Sequence, residues 1–208
     1  GLGFAGTVKE VTPNAGGIPD HVLESPLLSP SEREFILVKG YHGWVGRAIL
    51  ALKELEALQQ EIKPYSVVVY SANLRTYLEA KGIAWRTGLT ITVHMKNQLT
   101  HSELISLFQR SRIYIGLSLS DGISTSFLEA LSSGAIPVQT DTACIDEWTP
   151  SWVARVKDLK PTTIRAAILD GLSKANNFGY LEANRDLVAR RGVASKVSLV
   201  TREFYDNL

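Results

Sequence analysis

RIYIGLSLSDGISTSFLEALSSGAIPV, residues 112–138, is the stretch from which the fold is read. RIYIGLS (112–118) is an almost unbroken apolar run, as expected of a strand buried on both faces. A loop of glycine and hydroxyl residues follows, and then FLEALSSG, a short helix over Ser126–Ser133 closed by Gly134. AIPVQT (135–140) is the next buried strand. Two such strands joined through a helix form a parallel crossover unit, so the sheet is expected to be parallel and covered by helices on both faces.

The same alternation runs outward in both directions. FILVKGY (35–41), YSVVVYS (65–71) and LTITVHM (89–95) read as strands, and WVARVK (152–157) as a sixth. Between them, Ile49, Leu52, Leu55, Leu58 and Ile62 have helical spacing over 45–62, and a short helix over 74–81 is expected to stop at Gly82. HSELISLFQR (101–110) carries a capping box in Thr100 and Glu103, and Pro161 suits the first turn of a helix running to Lys174. The expected architecture is α/β, a doubly wound parallel six-stranded Rossmann-like sheet with strand order 3-2-1-4-5-6. Residues 1–34, rich in Gly, Pro and Ser, read as a linker with a short strand near 8–11. Residues 35–180 form the main domain, and 181–208 a helical tail with a break near Gly192.

Composition narrows the function. The 208 residues are 45% hydrophobic and 21% charged, with 22 basic and 21 acidic side chains and a net charge of +1. No basic stripe interleaved with aromatics speaks for nucleic acid, and no apolar run reaches the roughly 18 residues of a membrane span. The single cysteine, Cys144, excludes an internal disulfide and fits a reducing, cytoplasmic setting. His21, His42, His94 and His101 lack ligand spacing, so no metal site is expected. There is neither a Walker-type phosphate loop nor a G-x-G-x-x-G after a strand, which argues against ATPases and NAD-dependent dehydrogenases.

In the 3-2-1-4-5-6 order, a ligand crevice opens where the chain reverses, at the carboxyl ends of strands 1 and 4. The loop after strand 1 holds Lys39, Gly40, Gly43 and Arg47. Arginine in a first helical turn is disfavoured by the dipole unless an anion shares the site, though a solvated Arg beside a glycine turn is the plainer reading. Lys39, inside an apolar strand, is costly to bury unpaired but can extend from the strand end toward a phosphate. The loop after strand 4 holds Ser120, Asp121, Gly122, Ile123, Ser124 and Thr125 ahead of a helix start, an anion site by virtue of its free amides. Asp121 and Glu129 can face one crevice, offering carboxylates to ribose and sugar hydroxyls. Alternatively Ser126 and Glu129 form a capping box and Asp121 offsets the helix dipole.

DGISTSFLEALSSGAIPV resembles the signature of retaining GT-B glycosyltransferases of the GT4 type: an acid, seven residues, Glu, then A-[ML]-x-x-G-x-P-V. Here the first acid is Asp121, one methylene shorter than the family's usual Glu, and the second is Glu129. The resemblance implies a catalytic pair in which Glu129 holds the ribose, while Asp121, Gly122, Ile123 and Ser124 meet the sugar and diphosphate. KGYHGWVGR (39–47) is similar to the family's diphosphate loop, which assigns Arg47 and Lys39 to the leaving group. Met95, between His94 and Lys96, falls where the family contacts the base. TDTACIDEW (140–148) is similar to the loop that ends in the family's Glu, here Glu147.

What the resemblance implies is the donor-binding C-terminal half of a hexosyltransferase that takes a nucleoside-diphosphate sugar and needs no metal or other cofactor. The acceptor glycan or glycolipid would bind a missing N-terminal domain, so this piece alone should be inactive, and any peripheral membrane association would come through that missing half. A GT-B nucleotide-sugar epimerase and a non-catalytic nucleotide-sugar-binding module are the alternatives. Trp148 and Trp152 read as packing residues.

Overall fold

The computed structural model of the protein describes residues 16–43, 46–119, 123–141, 145–148 and 150–206, and of Glu147 the backbone only. Six strands, β1 (Phe35–Lys39), β2 (Ser66–Ala72), β3 (Ile91–Met95), β4 (Ser111–Gly116), β5 (Ile136–Thr140) and β6 (Ala154–Val156), form one sheet. All pairings are parallel and the order is β3-β2-β1-β4-β5-β6, as the sequence reading expects. Eight α-helices lie among the described residues: α1 (Ala48–Ala57), α2 (Leu74–Thr87), α3 (His101–Gln109), α4 (Thr125–Ser132), α5 (Ile145–Trp148), α6 (Pro161–Lys174), α7 (Phe178–Arg191) and α8 (Ala194–Asp206). None is long and apolar enough to cross a membrane.

The two-residue period of the strands divides the core into two layers. Ile36, Val38, Val67, Val69, Ile113 and Ile115 face one way, where they pack with Leu52 and Leu55 of α1, Ile83 of α2, and Ile164 and Ile168 of α6. Leu37, Val68, Tyr70 and Tyr114 face the other way, onto Phe108 of α3, Phe127 and Leu131 of α4, and Val188 of α7. Because β1 and β4 are covered on both faces, their residues from 36 to 38 and from 113 to 115 are almost wholly buried.

Several element ends differ from the sequence expectation. The helix expected to stop at Gly82 continues to Thr87, because Ile83 is a buried anchor one residue further on. Its true stop is Gly88, in the left-handed conformation (φ 72°), whose amide bonds the Ala84 carbonyl. The helix expected over 45–62 is regular only over Ala48–Ala57, although Leu58 and Ile62 still reach the core. Helix α4 begins at Thr125, one residue before the expected Ser126. The strand expected near 8–11 lies outside the described residues.

Residues 16–34 are fastened to the body. Ile18 pairs with Val193, its amide bonding the Gly192 carbonyl and its carbonyl accepting from Ala194. Two 3-10 turns, Asp20–Leu23 and Pro30–Glu32, follow. Arg33, only 2% exposed, donates to three carbonyls: Leu28 (3.0 Å), Ser111 (2.9 Å) and Ser133 (2.8 Å). It thereby joins this segment to the start of β4 and the end of α4. Burial, reinforced by the charges of Arg112 and Arg185, brings its pKa down to about 10. Arg33→Met should lower stability by about 3 kcal/mol, since several buried carbonyls lose their donor at about 1–3 kcal/mol each. The urea midpoint measures this, and an unchanged midpoint would show that the guanidinium is not needed there.

Candidate functional site

In a doubly wound sheet a ligand crevice is expected at the carboxyl ends of the strands where the order reverses, here β1 and β4. Backbone strain gathers along the same edge. Among the described residues, the non-glycine residues with positive φ are Arg47 (52°), Ser71 (52°) and Asn97 (65°). They follow or end β1, β2 and β3 respectively. Left-handed backbone costs an ordinary residue about 1–2 kcal/mol and persists where the surroundings impose it.

The loop from Lys39 to α1 is closed by the Ala48 amide bonding the Tyr41 carbonyl at 2.9 Å. Only glycine fits at position 46, where a Cβ would stand 2.1 Å from that carbonyl oxygen. Gly40 is structural in a similar way. Its amide is spent on Tyr70 O (2.7 Å), and a Cβ would meet the same oxygen at 2.5 Å. Gly43 is exposed, with φ 128° and open space around it. Arg47 is the N-cap of α1 rather than a first-turn residue.

Positive charge gathers about the start of α1. His42 Nδ1 accepts the Ile49 amide (3.4 Å), and the His42 carbonyl accepts from Asn73 Nδ2 (3.3 Å). Partial burial first, then the charges of Arg75, Arg47 and Lys53, pull the His42 pKa down. Arg75 on α2 and Lys53 on α1 escaped the sequence reading. The available signal was position, because Arg75 follows the carboxyl end of β2, the strand beside β1.

Across the switch point, Ser124 is the N-cap of α4, its Oγ accepting the Phe127 amide at 3.1 Å. The Ser126–Glu129 capping box is therefore not formed: the helix is already capped by Ser124, and Ser126 lies inside it. The first-turn amides of Thr125 and Ser126 have no carbonyl ahead of them in the helix. Thr125 is exposed, and Ile123 and Ser124 are half-buried. Ser120, Asp121 and Gly122 lie outside the described residues, as does Cys144.

Glu129 turns away from the helix cap. Its side chain is 5% exposed, and Oε1 lies 2.8 Å from Nε2 of His101, the first residue of α3, itself 50% exposed. An ionised carboxylate only accepts, so Nε2 carries the hydrogen of this bond. Burial lifts the Glu129 pKa, opposed by the His101 hydrogen bond and charge and by the charge of Lys39. Lys39 ends β1 half-buried, with Nζ 5.7 Å from the Tyr41 ring centroid. The buried phenols of Tyr70 and Tyr114 complete the floor. Both pKa values are raised, chiefly by burial. Neither phenol oxygen has a hydrogen-bond partner among the described residues.

Met95 ends β3 and is half-buried. Its amide is taken by Gln98 Oε1 (2.6 Å), and its carbonyl accepts from the Gln98 amide (3.1 Å). The structure thus brings Lys39, Arg47, Ser124, Thr125 and Glu129 to one edge and adds His101, while Gly40 and the Met95 amide are used within the fold. No group of three or more His, Cys, Asp or Glu side chains with metal-binding geometry occurs among the described residues. Trp148 is buried, and Trp152 stacks on Tyr180, consistent with packing.

A parallel sheet of this order, covered on both faces and reversing between β1 and β4, defines a Rossmann-like domain. The profile of the family described as Glycosyl transferases group 1 matches residues 23–158, more than half of the chain, and the protein belongs to that family. Comparison with curated proteins gives no significant match. Among solved structures, the chain is similar to a glycosyltransferase from Rickettsia africae ESF-5 (TM-score 0.71, 15% identity, 92% of this chain and 55% of that one). It is also similar to the E. coli trehalose-6-phosphate enzyme bound with UDP-2-fluoro glucose (TM-score 0.70, 13% identity, 90% and 50%). A third is an α,α-trehalose-phosphate synthase from Burkholderia xenovorans (TM-score 0.65, 14% identity, 86% and 44%). At these identities the likeness is one of fold, and the chain spans about half the length of each relative.

The lifted Glu129 pKa has a consequence for stability. An acid whose folded-state pKa is raised stabilises the fold fully below its ordinary value of 4.5 and loses that contribution as pH rises through the raised value. At neutral pH the charged carboxylate is therefore a net burden on the fold. Glu129→Gln should melt no lower than wild type at pH 7.5, with any advantage shrinking as pH falls through the raised value and levelling off below about 4.5. Melting by circular dichroism tests this, and a variant several degrees less stable at pH 7.5 would make the carboxylate structural.

Proposed function

We propose that this chain is the donor-binding domain of a retaining glycosyltransferase, which holds a nucleoside-diphosphate sugar for transfer to a hydroxyl acceptor. One observation carries the reading: a buried, destabilising carboxylate, Glu129, stands across the switch point from a cluster of cations at the start of α1. A nucleotide sugar matches both halves, since its diphosphate is anionic and its ribose offers hydroxyls. Breaking the sugar–phosphate bond puts further negative charge on the departing phosphate. Arg47, Lys39 and the first amides of α4 are suited to meet that charge, and preorganised donors of this kind are the strongest lever available to such a site.

In this reading Glu129 takes the ribose, and Ser120, Asp121, Gly122, Ile123, Ser124 and Thr125 take the sugar and its phosphates. Gly43 lets the loop approach the diphosphate, and the base lies toward Met95. Side chains and helix amides stand in for a metal. The E. coli fold relative bound with UDP-2-fluoro glucose holds a ligand of this class. The acceptor glycan or glycolipid would be bound by a second domain, in keeping with a chain that spans about half of its relatives.

Titration calorimetry with UDP, GDP and ADP tests the reading. At least one is expected to bind, and Glu129→Ala should weaken it by about 1–3 kcal/mol, the scale of charged hydrogen bonds. Failure of all three to bind would sink the proposal. Residues 1–208 alone should bind donor without transferring sugar, and transfer at a normal rate would overturn the assignment of the acceptor to a second domain.

A further inference from the structure

Glu129 does not reach its carboxylate position unaided. We propose that His101 is a positioning residue, which holds the Glu129 carboxylate ionised and oriented for the nucleotide. The proposal rests on reading Glu129 as a nucleotide ligand.

Three observations converge on it. First, the imidazole is itself fixed in place. His101 opens α3, and the turn before it is locked by a reciprocal capping box: the Glu103 amide donates to Thr100 Oγ1 at 3.3 Å, and the Thr100 amide donates to Glu103 Oε2 at 2.8 Å. Second, a buried carboxylate needs a donor, and Nε2 supplies one at 2.8 Å. The other groups facing Glu129 do different things. Lys39 of β1 acts through its charge, while the Glu129 charge itself helps keep the buried phenols of Tyr70 on β2 and Tyr114 on β4 protonated and neutral. Third, the imidazole uses one acceptor site of a carboxylate that has about four. The remainder suffice for two ribose hydroxyls, so His101 and a nucleotide can be bound at once.

The placement also links two parts of the site. Residues 96–100 join β3 to α3, so the ring that holds Glu129 is carried directly behind the strand end at Met95. The carboxylate and the β3 loop are thereby held at a set spacing by the pairing of α3 with α4. No spacing in the sequence advertises this contact, since the partners are 28 residues apart on different helices.

The test uses the 208-residue chain and four proteins: wild type, His101→Ala, His101→Gln and Glu129→Gln. UDP, GDP and ADP are titrated from pH 5 to 8.5, and the Glu129 carboxyl carbon is followed by NMR without nucleotide. In His101→Ala, affinity at pH 7.5 should fall about tenfold, the scale of one charge-assisted hydrogen bond. The acid limb of the binding curve and the NMR midpoint of Glu129 should both move to higher pH. His101→Gln, which restores a donor without a positive charge, should recover most of the affinity. Unchanged affinity in His101→Ala, with Glu129→Gln still weakened, would overturn the role of His101 alone. Tighter binding in His101→Ala would overturn it too, by showing that the imidazole competes with ribose. Full affinity in Glu129→Gln would overturn this proposal together with the reading of Glu129 on which it rests. A Glu129 midpoint that does not move without His101 would overturn it independently of any nucleotide.

Discussion

The parallel pairing of β1 with β4, which sets Ile36 beside Ile113 and Val38 beside Ile115, is the constraint from which the remaining arrangement follows. These two strands are far apart in the chain, and joining them places β2 and β3 on one side and β5 and β6 on the other. Strand order reverses at that line, so the connections leaving β1 and β4 go to opposite faces, the arrangement that leaves a crevice in sheets of this kind. Both strands are buried on both faces, which is why their middle residues, 36–38 and 113–115, are apolar. The departures from apolar character come at the strand ends, in Ser111 and Arg112 at the start of β4 and in Lys39 at the end of β1.

Electrostatics at that edge is arranged against the stability of the empty domain. A carboxylate is buried on α4, its burial offset only partly by His101 and Lys39, while on the β1 side partial burial and the charges of Arg75, Arg47 and Lys53 lower the pKa of His42. Neither half is a stable end in itself, since like charges repel and a buried ion has lost its water. Left-handed backbone at Arg47, Ser71 and Asn97 adds strain along the same rim. Local cost concentrated at one edge of an otherwise well-packed sheet is the pattern expected where ligand binding, not folding, has set the residue choice.

Elsewhere, polar contacts tie distant segments of the chain together. Arg33 shows this best, with its guanidinium shared among three carbonyls from three segments. The segment ahead of β1 is held at its other end by Ile18 against Val193 and by Asp20, which accepts from the amide and hydroxyl of Ser195. Residues 16–34 and the start of α8 thus brace each other, and the approach to β1 has a defined direction.

Sheet order, strand positions and hence the switch point were legible from the amino-acid sequence, because burial on both faces writes long apolar runs and parallel connections demand the helices between them. The family signature over 121–138 was legible for the same reason: its chemistry is local, a loop and one helix start. Helix ends were less so. Gly82 and Gly88 look alike in sequence, and only the burial of Ile83 decides that the helix runs through the first and stops at the second. Whether Ser126 and Glu129 cap a helix was undecided by spacing, and the structure decides it by starting α4 at Thr125 under Ser124. The contact of His101 with Glu129, and the gathering of Arg75 and Lys53 about His42, belong to tertiary structure alone. Each depends on how two helices pack side by side on one face of the sheet, and periodicity along a chain holds no record of that distance.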